Sequence, residues 1–184
     1  MKYILIIMST ILFISINAQE YALDTKKSNL KWKGYGEIGG FTQEGEISAL
    51  DGSLMMKSGE LVSTEIIIDM TTIENSDQNL ASHLKNKDFF YVKKYPTASL
   101  RLKEFENGVL TADLTIRGIT KTISFEPNII QDGNSVMAQG EIKIDRTLYD
   151  IKYNSSSYFQ DLGNYAIKNE FDLSFDLYFN IANN

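Results

Sequence analysis

No cysteine occurs among the 184 residues. That excludes disulfides, thiolate metal sites and a cysteine-linked lipid anchor. There is one histidine, His83, so a multi-histidine metal centre is excluded as well. A G-x-S-x-G nucleophile turn is also absent. No basic cluster exists, and Lys plus Arg (18) fall short of Asp plus Glu (24), giving a formal charge of −6. Neutralising phosphates needs Lys and Arg, so nucleic acid is not an expected partner. Only two prolines interrupt the chain, and twelve glycines suit strands joined by tight turns.

Long apolar runs are nearly missing too. The one example, Ile4 to Ile16, is shorter than the roughly 18–20 residues of a membrane span. With Lys2 before it and Asn17-Ala18-Gln19 after it, Met1 to Ala18 reads as a secretory signal peptide, with a short N-terminal anchor as the alternative. Its removal takes away only Lys2 and leaves a formal charge of −7 (17 − 24). Residues 19–184 are then expected to form one soluble domain, periplasmic or secreted.

What is present is period-two alternation. Leu30, Trp32 and Gly34 share one face of Asn29–Tyr35. Gln43 to Met56 is a long strand whose phase shifts near Ala49-Leu50, as a bulge would cause. Val62, Thr64, Ile66, Ile68 and Met70 align next. Ala98, Leu100 and Leu102 follow, then Leu110, Ala112, Leu114 and Ile116, then Thr120 to Ile130. Val136 to Ile144 and Phe171 to Phe179 complete the set. Lys57-Ser-Gly59-Glu, Asn107-Gly108, Arg117-Gly118 and Asp132-Gly133-Asn134 are the turns. The pattern predicts an all-β, eight-stranded antiparallel barrel.

One stretch departs from it. Asn75 to Pro96 carries Leu80, Ala81 and Leu84 at helical spacing, with Ser76 as N-cap and Lys85 and Lys87 at the far end. This predicts one short helical element plugging the sheet, with His83 on or near its apolar face and Phe89-Phe90 behind it.

The inward faces leave two readings open. Small residues at Gly34, Gly45, Ala98, Ala112, Ala138 and Gly140 could leave a channel, or could make room for Trp32, Phe125 and Phe175 in a solid interior. His83 reads as a core residue, a hydrolase residue or a polar group at a barrel mouth. Asp145-Arg146 and Asp150 read as an ion-pair knot at a barrel end. Tyr91, Tyr95, Tyr149 and Tyr158 read as pocket rim or as surface packing.

Four ordered motifs narrow this. His83-Leu-Lys-Asn-Lys-Asp88-Phe89-Phe90 with Tyr95-Pro96, Ala112-Asp-Leu114-Thr-Ile-Arg-Gly118, Ile144-Asp-Arg146-Thr-Leu-Tyr149-Asp150-Ile151, and Ile167-Lys-Asn-Glu170-Phe171 resemble the YceI-like family. The resemblance covers about Glu20 to Phe179. It implies a lipocalin-like barrel, export, and an apolar tunnel that holds a polyisoprenoid or similar amphiphilic lipid, with no established enzymatic activity. His83, Phe89, Phe90 and Arg146 fall inside those motifs.

The expected function is therefore an exported lipid-binding or carrier protein, not an enzyme, needing no cofactor. Its partners would be a long-chain isoprenoid, a quinone or another amphiphilic lipid, with a homodimer as a further state. Expected tail contacts are Trp32, Ile66, Ile68, Leu100, Leu114, Phe125, Ile144 and Phe175. Phe89, Phe90, Tyr149 and Tyr158 are candidates beside them, with His83 and Arg146 at the mouth. The alternatives are a secreted hydrolase using His83, and a packed structural or partner-binding domain.

Overall fold

The computed structural model describes residues 18–182; the signal-peptide stretch, Ala18 apart, lies outside the described residues. Ten strands are present: β1 (Gln19–Leu23), β2 (Asn29–Tyr35), β3 (Thr42–Lys57), β4 (Glu60–Asp69), β5 (Thr97–Glu106), β6 (Val109–Ile116), β7 (Ile119–Phe125), β8 (Asn128–Asp132), β9 (Ser135–Asp145) and β10 (Glu170–Ile181). One α-helix, α1 (Gln78–Leu84), follows β4.

Ten strands still make eight staves. β1 and β2 both pair with β3 and β10, one above the other, and so share a position. Thr120 to Ile130, expected as one strand, is split at Glu126-Pro127, where proline has no N–H for a ladder. Its first half, β7, pairs with β6 and its second half, β8, pairs with β9. That stave therefore joins the two ends of the order β7-β6-β5-β4-β3-β1-β10-β9-β8 and closes an antiparallel barrel.

Local chemistry sets the register. Asn107 (φ 52°) and Gly108 (φ 82°) are both left-handed, the conformation a two-residue type I′ turn needs, and Ser58-Gly59 and Arg117-Gly118 repeat it. The bulge expected near Ala49-Leu50 lies between Ala49 and Asp51 and pushes Leu50 outward. A second irregularity, at Met55/Met56, was not expected. It turns Leu61 inward and leaves Val62 46% exposed, so Val62 leaves the inward set. Leu110, Ala112, Leu114 and Ile116 are all buried, as alternation requires.

The helical stretch is shorter than its span suggests. α1 has seven residues, and its N-cap is Asp77, whose carboxylate accepts from the Asn79 amide, rather than Ser76. Ala81 and Leu84 are buried beneath it. The excursion from β4 to β5 is closed by Met70 N–H donating to the Pro96 carbonyl (2.9 Å). It is tied to β3 where the Glu46 and Glu74 amides donate to each other's carbonyls (3.3 and 2.9 Å). The buried Asn75 amide adds a bond to the Glu44 carbonyl (2.6 Å).

That docking explains Gly45. A Cβ there would stand 1.9 Å from the Glu74 carbonyl oxygen and 2.7 Å from the Trp32 ring, so no side chain fits. Gly45→Ala is expected to destabilise the fold by about 3 kcal/mol, the upper end of overpacking costs, measured by urea unfolding.

Candidate functional site

The barrel interior is divided. Toward one end the interior is packed with Tyr21, Leu54, Leu110, Ala112, Val136, Leu177 and Phe179, all buried. The other end, under α1, holds a cavity of about 710 Å³ whose wall is mostly apolar. The wall stops at a common depth. On β10 it includes Phe171 and Leu173 but not Phe175; on β9, Ile144 but not Ile142; on β6, Ile116 and Leu114 but not Ala112. On β5 it includes Ala98 but not Leu100; on β4, Ile68 but not Ile66; on β3, Ile47 but not Ala49.

The floor is aromatic. Phe175 packs edge-to-face on Phe125, ring centroids 5.9 Å apart. A Cβ on Gly140 would lie 2.8 Å from the Phe175 ring. Gly140 and Gly45 thus make room for Phe175 and Trp32, as the solid-interior reading has it, while Ala98 borders open space, as the channel reading has it. A smaller cleft of about 340 Å³ opens near Met56, Leu61 and Pro127 and shares no residue with the large cavity. The expected tunnel is therefore a blind pocket among the described residues.

The roof comes from two segments. One is Met70–Pro96, contributing Ile73, Leu80, Leu84, Phe89 and Phe90 to the wall. The other is Arg146–Asn169, contributing Asn154, Asn164, Tyr165, Ala166, Ile167 and Lys168. Its serines are tied in: Ser155 Oγ donates to Asn169 (2.6 Å), Asn169 Nδ2 to Ser157 (2.8 Å), and Ser156 Oγ to Glu37 (2.6 Å). Ile38, Phe41 and Tyr165 stand at the mouth and remain 56, 60 and 78% exposed.

Arg146 fastens this roof. It is 4% exposed, and its guanidinium donates through Nε to the Lys168 carbonyl (3.0 Å), through Nη1 to Ile151 (2.8 Å) and through Nη2 to Ile167 (3.0 Å). It also faces the Phe89 ring at 6.0 Å. Burial lowers its pKa, against the opposing charges of Asp145 and Glu37. The expected Asp145-Arg146-Asp150 knot is not formed. Asp145 instead caps the following 3₁₀ turn through Thr147, and Asp150 pairs with Lys152 at 2.8 Å.

Of the fourteen residues expected at the site, Trp32, Ile68, Phe89, Phe90, Leu114, Ile144 and Arg146 line the cavity. Ile66, Leu100, Phe125 and Phe175 face inward but stand below its wall, because parity tells the face and not the depth. His83 lies outside the wall: its Nε2 contacts the Asp88 carboxylate at 2.8 Å, and its ring packs on Tyr153 (4.6 Å) and Phe89 (5.3 Å). Tyr149 is buried away from the cavity, with its hydroxyl unpartnered and its pKa pushed up to about 12, mainly by burial. Tyr158 is exposed outside the wall. Sequence reasoning missed Ile38 and Phe41 as site residues; two large apolar side chains among Gly36, Gly39 and Gly40 were the available signal.

Two further groups bear on chemistry. The buried Trp32 Nε1 has no hydrogen-bond partner. Outside the barrel, Asp172 accepts from the Tyr35 hydroxyl and from Lys143. No group of three or more His, Asp or Glu side chains among the described residues is placed to hold a metal ion.

Fold and cavity together define an antiparallel lipocalin-like barrel that is hollow at one end. The chain belongs to the YceI-like family, whose domain profile matches residues 21–179. It is similar to the UPF0312 protein of Vibrio campbellii, 24% identical over 161 residues covering 79% of this chain and 85% of the relative. Among solved structures, it is similar to a polyisoprenoid-binding domain from Saccharophagus degradans implicated in plant cell wall breakdown (TM-score 0.68, 14% identity, 88% and 98% of the two chains). BcnA of Burkholderia cenocepacia is another (TM-score 0.67, 20% identity, 85% and 98%).

Two outcomes follow from this geometry. Arg146→Lys keeps the charge but lacks the fork that reaches three carbonyls, and should lose about 3 kcal/mol in urea unfolding. At Asp172, burial raises the pKa, yet the hydrogen bonds and charge of Lys143 and the Tyr35 hydroxyl outweigh it, so the net shift is downward. A lowered folded pKa stabilises above the unfolded value, about 3.9, and that stability is lost as pH falls through the folded value. Asp172→Asn should cost about 1 kcal/mol at neutral pH, since Lys143 is half exposed and screened, and the cost should vanish in strong acid.

Proposed function

We propose that this protein is an exported binding or carrier protein that holds the tail of a polyisoprenoid, quinone or similar amphiphilic lipid in the barrel cavity, and that it is not an enzyme. The observation that carries this reading is the 710 Å³ apolar pocket opening past exposed Ile38, Phe41 and Tyr165. Each tail methylene moved from water into such a wall contributes about 0.8 kcal/mol, so affinity needs no specific chemistry. The polyisoprenoid-binding neighbour from Saccharophagus degradans supports the same ligand class. Trp32, Ile68, Phe89, Phe90, Leu114 and Ile144 are the proposed tail contacts.

The head would rest at the mouth among the neutral amides of Gln43, Asn154 and Asn164. Asp77 and Glu170 stand there against Lys168, which suits a quinone ring or an alcohol better than a pyrophosphate. Arg146 is the nearest strong donor, but three carbonyls already hold it. The hydrolase reading loses ground because His83 points away from the cavity. Export rests on the Met1 to Ala18 reading of the sequence, and no helix among the described residues is long and apolar enough to cross a membrane.

Trp32 is the chain's one tryptophan and lines the pocket, so its fluorescence reports occupancy. Titrating solvent-extracted protein with a short-tailed quinone should change that signal saturably. Ala98→Phe, which fills the void, should weaken uptake at least about tenfold while stability stays within about 1 kcal/mol. Unaltered uptake, or a loss of stability in place of uptake, would count against the pocket.

A further inference from the structure

A pocket that ends in a wall measures what enters it. We propose that the Phe175 layer is a depth stop that limits this barrel to isoprenoid tails of medium length, the head remaining at the mouth; this rests on the lipid-binding reading above. Three observations carry it. The cavity wall ends at Leu173 on β10, and the next inward residue, Phe175, is buried below it. Phe175 is held there on both sides, by Phe125 edge-to-face at 5.9 Å and by Gly140, whose absent Cβ the ring occupies to within 2.8 Å. On β6 the next inward residue after Leu114, Ala112, is fully buried (0% exposed), so the cavity does not continue along that strand.

Volume turns the stop into a length. The cavity of about 710 Å³ is closed below, so a tail that has filled it finds no further wall to reach. A longer tail leaves its remainder in water at the mouth, where it gains nothing from burial. A solid floor also cannot yield cheaply, because Phe175 would have to leave a close-packed site.

The test is a length series read by Trp32 fluorescence: geraniol, farnesol, geranylgeraniol and solanesol against solvent-extracted protein. Affinity should climb by about tenfold or more per added unit until the pocket is filled, and the climb should break off before solanesol. In Phe175→Ala the pocket deepens by the space of the lost ring, and solanesol should become about tenfold tighter than geranylgeraniol. Leu114→Phe enlarges a wall residue into open space, keeps the fold by circular dichroism, and should move the break to a shorter alcohol; it decides the matter if Phe175→Ala does not fold. A steady climb through solanesol in the unaltered protein, or a break that neither variant moves, overturns the depth stop while leaving lipid binding in place. No response to any of the four alcohols overturns lipid binding and the stop together.

Discussion

A guanidinium taken out of water needs an answer for its charge, and here main-chain dipoles give it. Arg146 is bonded to the carbonyls of Ile151, Ile167 and Lys168, which lie on the two arms of the segment that roofs the cavity. Carbonyls next to β10 are thereby fixed to carbonyls just beyond β9, and the loop between them cannot drift without stranding a buried cation. Phe89 lies against the same guanidinium, so the other roof segment is positioned by it as well. Arg117 repeats the device at the edge, donating to the carbonyls of Asp150 and Lys87. Two arginines on backbone oxygens keep a lid over a hollow that packing alone would tend to collapse.

That hollow is costly, because wall residues lose the dispersion contacts a filled core would give. The opposite half of the barrel offsets this with a dense interior built from Tyr21, Val136 and Phe179, each almost fully buried. At the floor the division is made by one edge-to-face pair of rings. Where the chain places Phe175 and Phe125 the interior closes; where it places Ala98, Leu114 and Leu173 it stays open. Small residues alone do not predict space, since Gly140 is filled by its neighbour's ring and Ala98 is not.

This is also where the reading of the sequence reached its limit. Alternation gave the barrel, the inward faces and the turns, because each follows from local periodicity and from positive φ at positions such as Gly108. It could not give depth. Ile66, Leu100 and Phe175 share a face with residues that do line the cavity, and only cross-strand register, such as Phe175 opposite Gly140 and Leu30, tells on which side of the floor each one falls. Val62 was misplaced for a related reason, since a bulge inverts parity beyond it without marking the sequence. His83 sits beside Leu80 and Leu84 in the helical pattern, yet a seven-residue helix with an early end turns it to the outside, where Asp88 meets it.

The similarity to solved barrels at 14–20% identity shows the fold and says nothing of pocket depth. Period-two alternation survives almost any exchange of one apolar residue for another, so a family can keep its barrel while every inward ring changes. Pocket depth does not survive such exchanges: one phenylalanine for a leucine at the floor alters it by the thickness of a ring. Ligand length must then be argued from this chain's own register, with Phe175 on Gly140 as the decisive pair, rather than carried over from relatives. The same reasoning separates the two functions of the interior. Leu54, Leu110 and Leu177 belong to the packed half, whereas Ala98, Leu114 and Ile144 shape the hollow one.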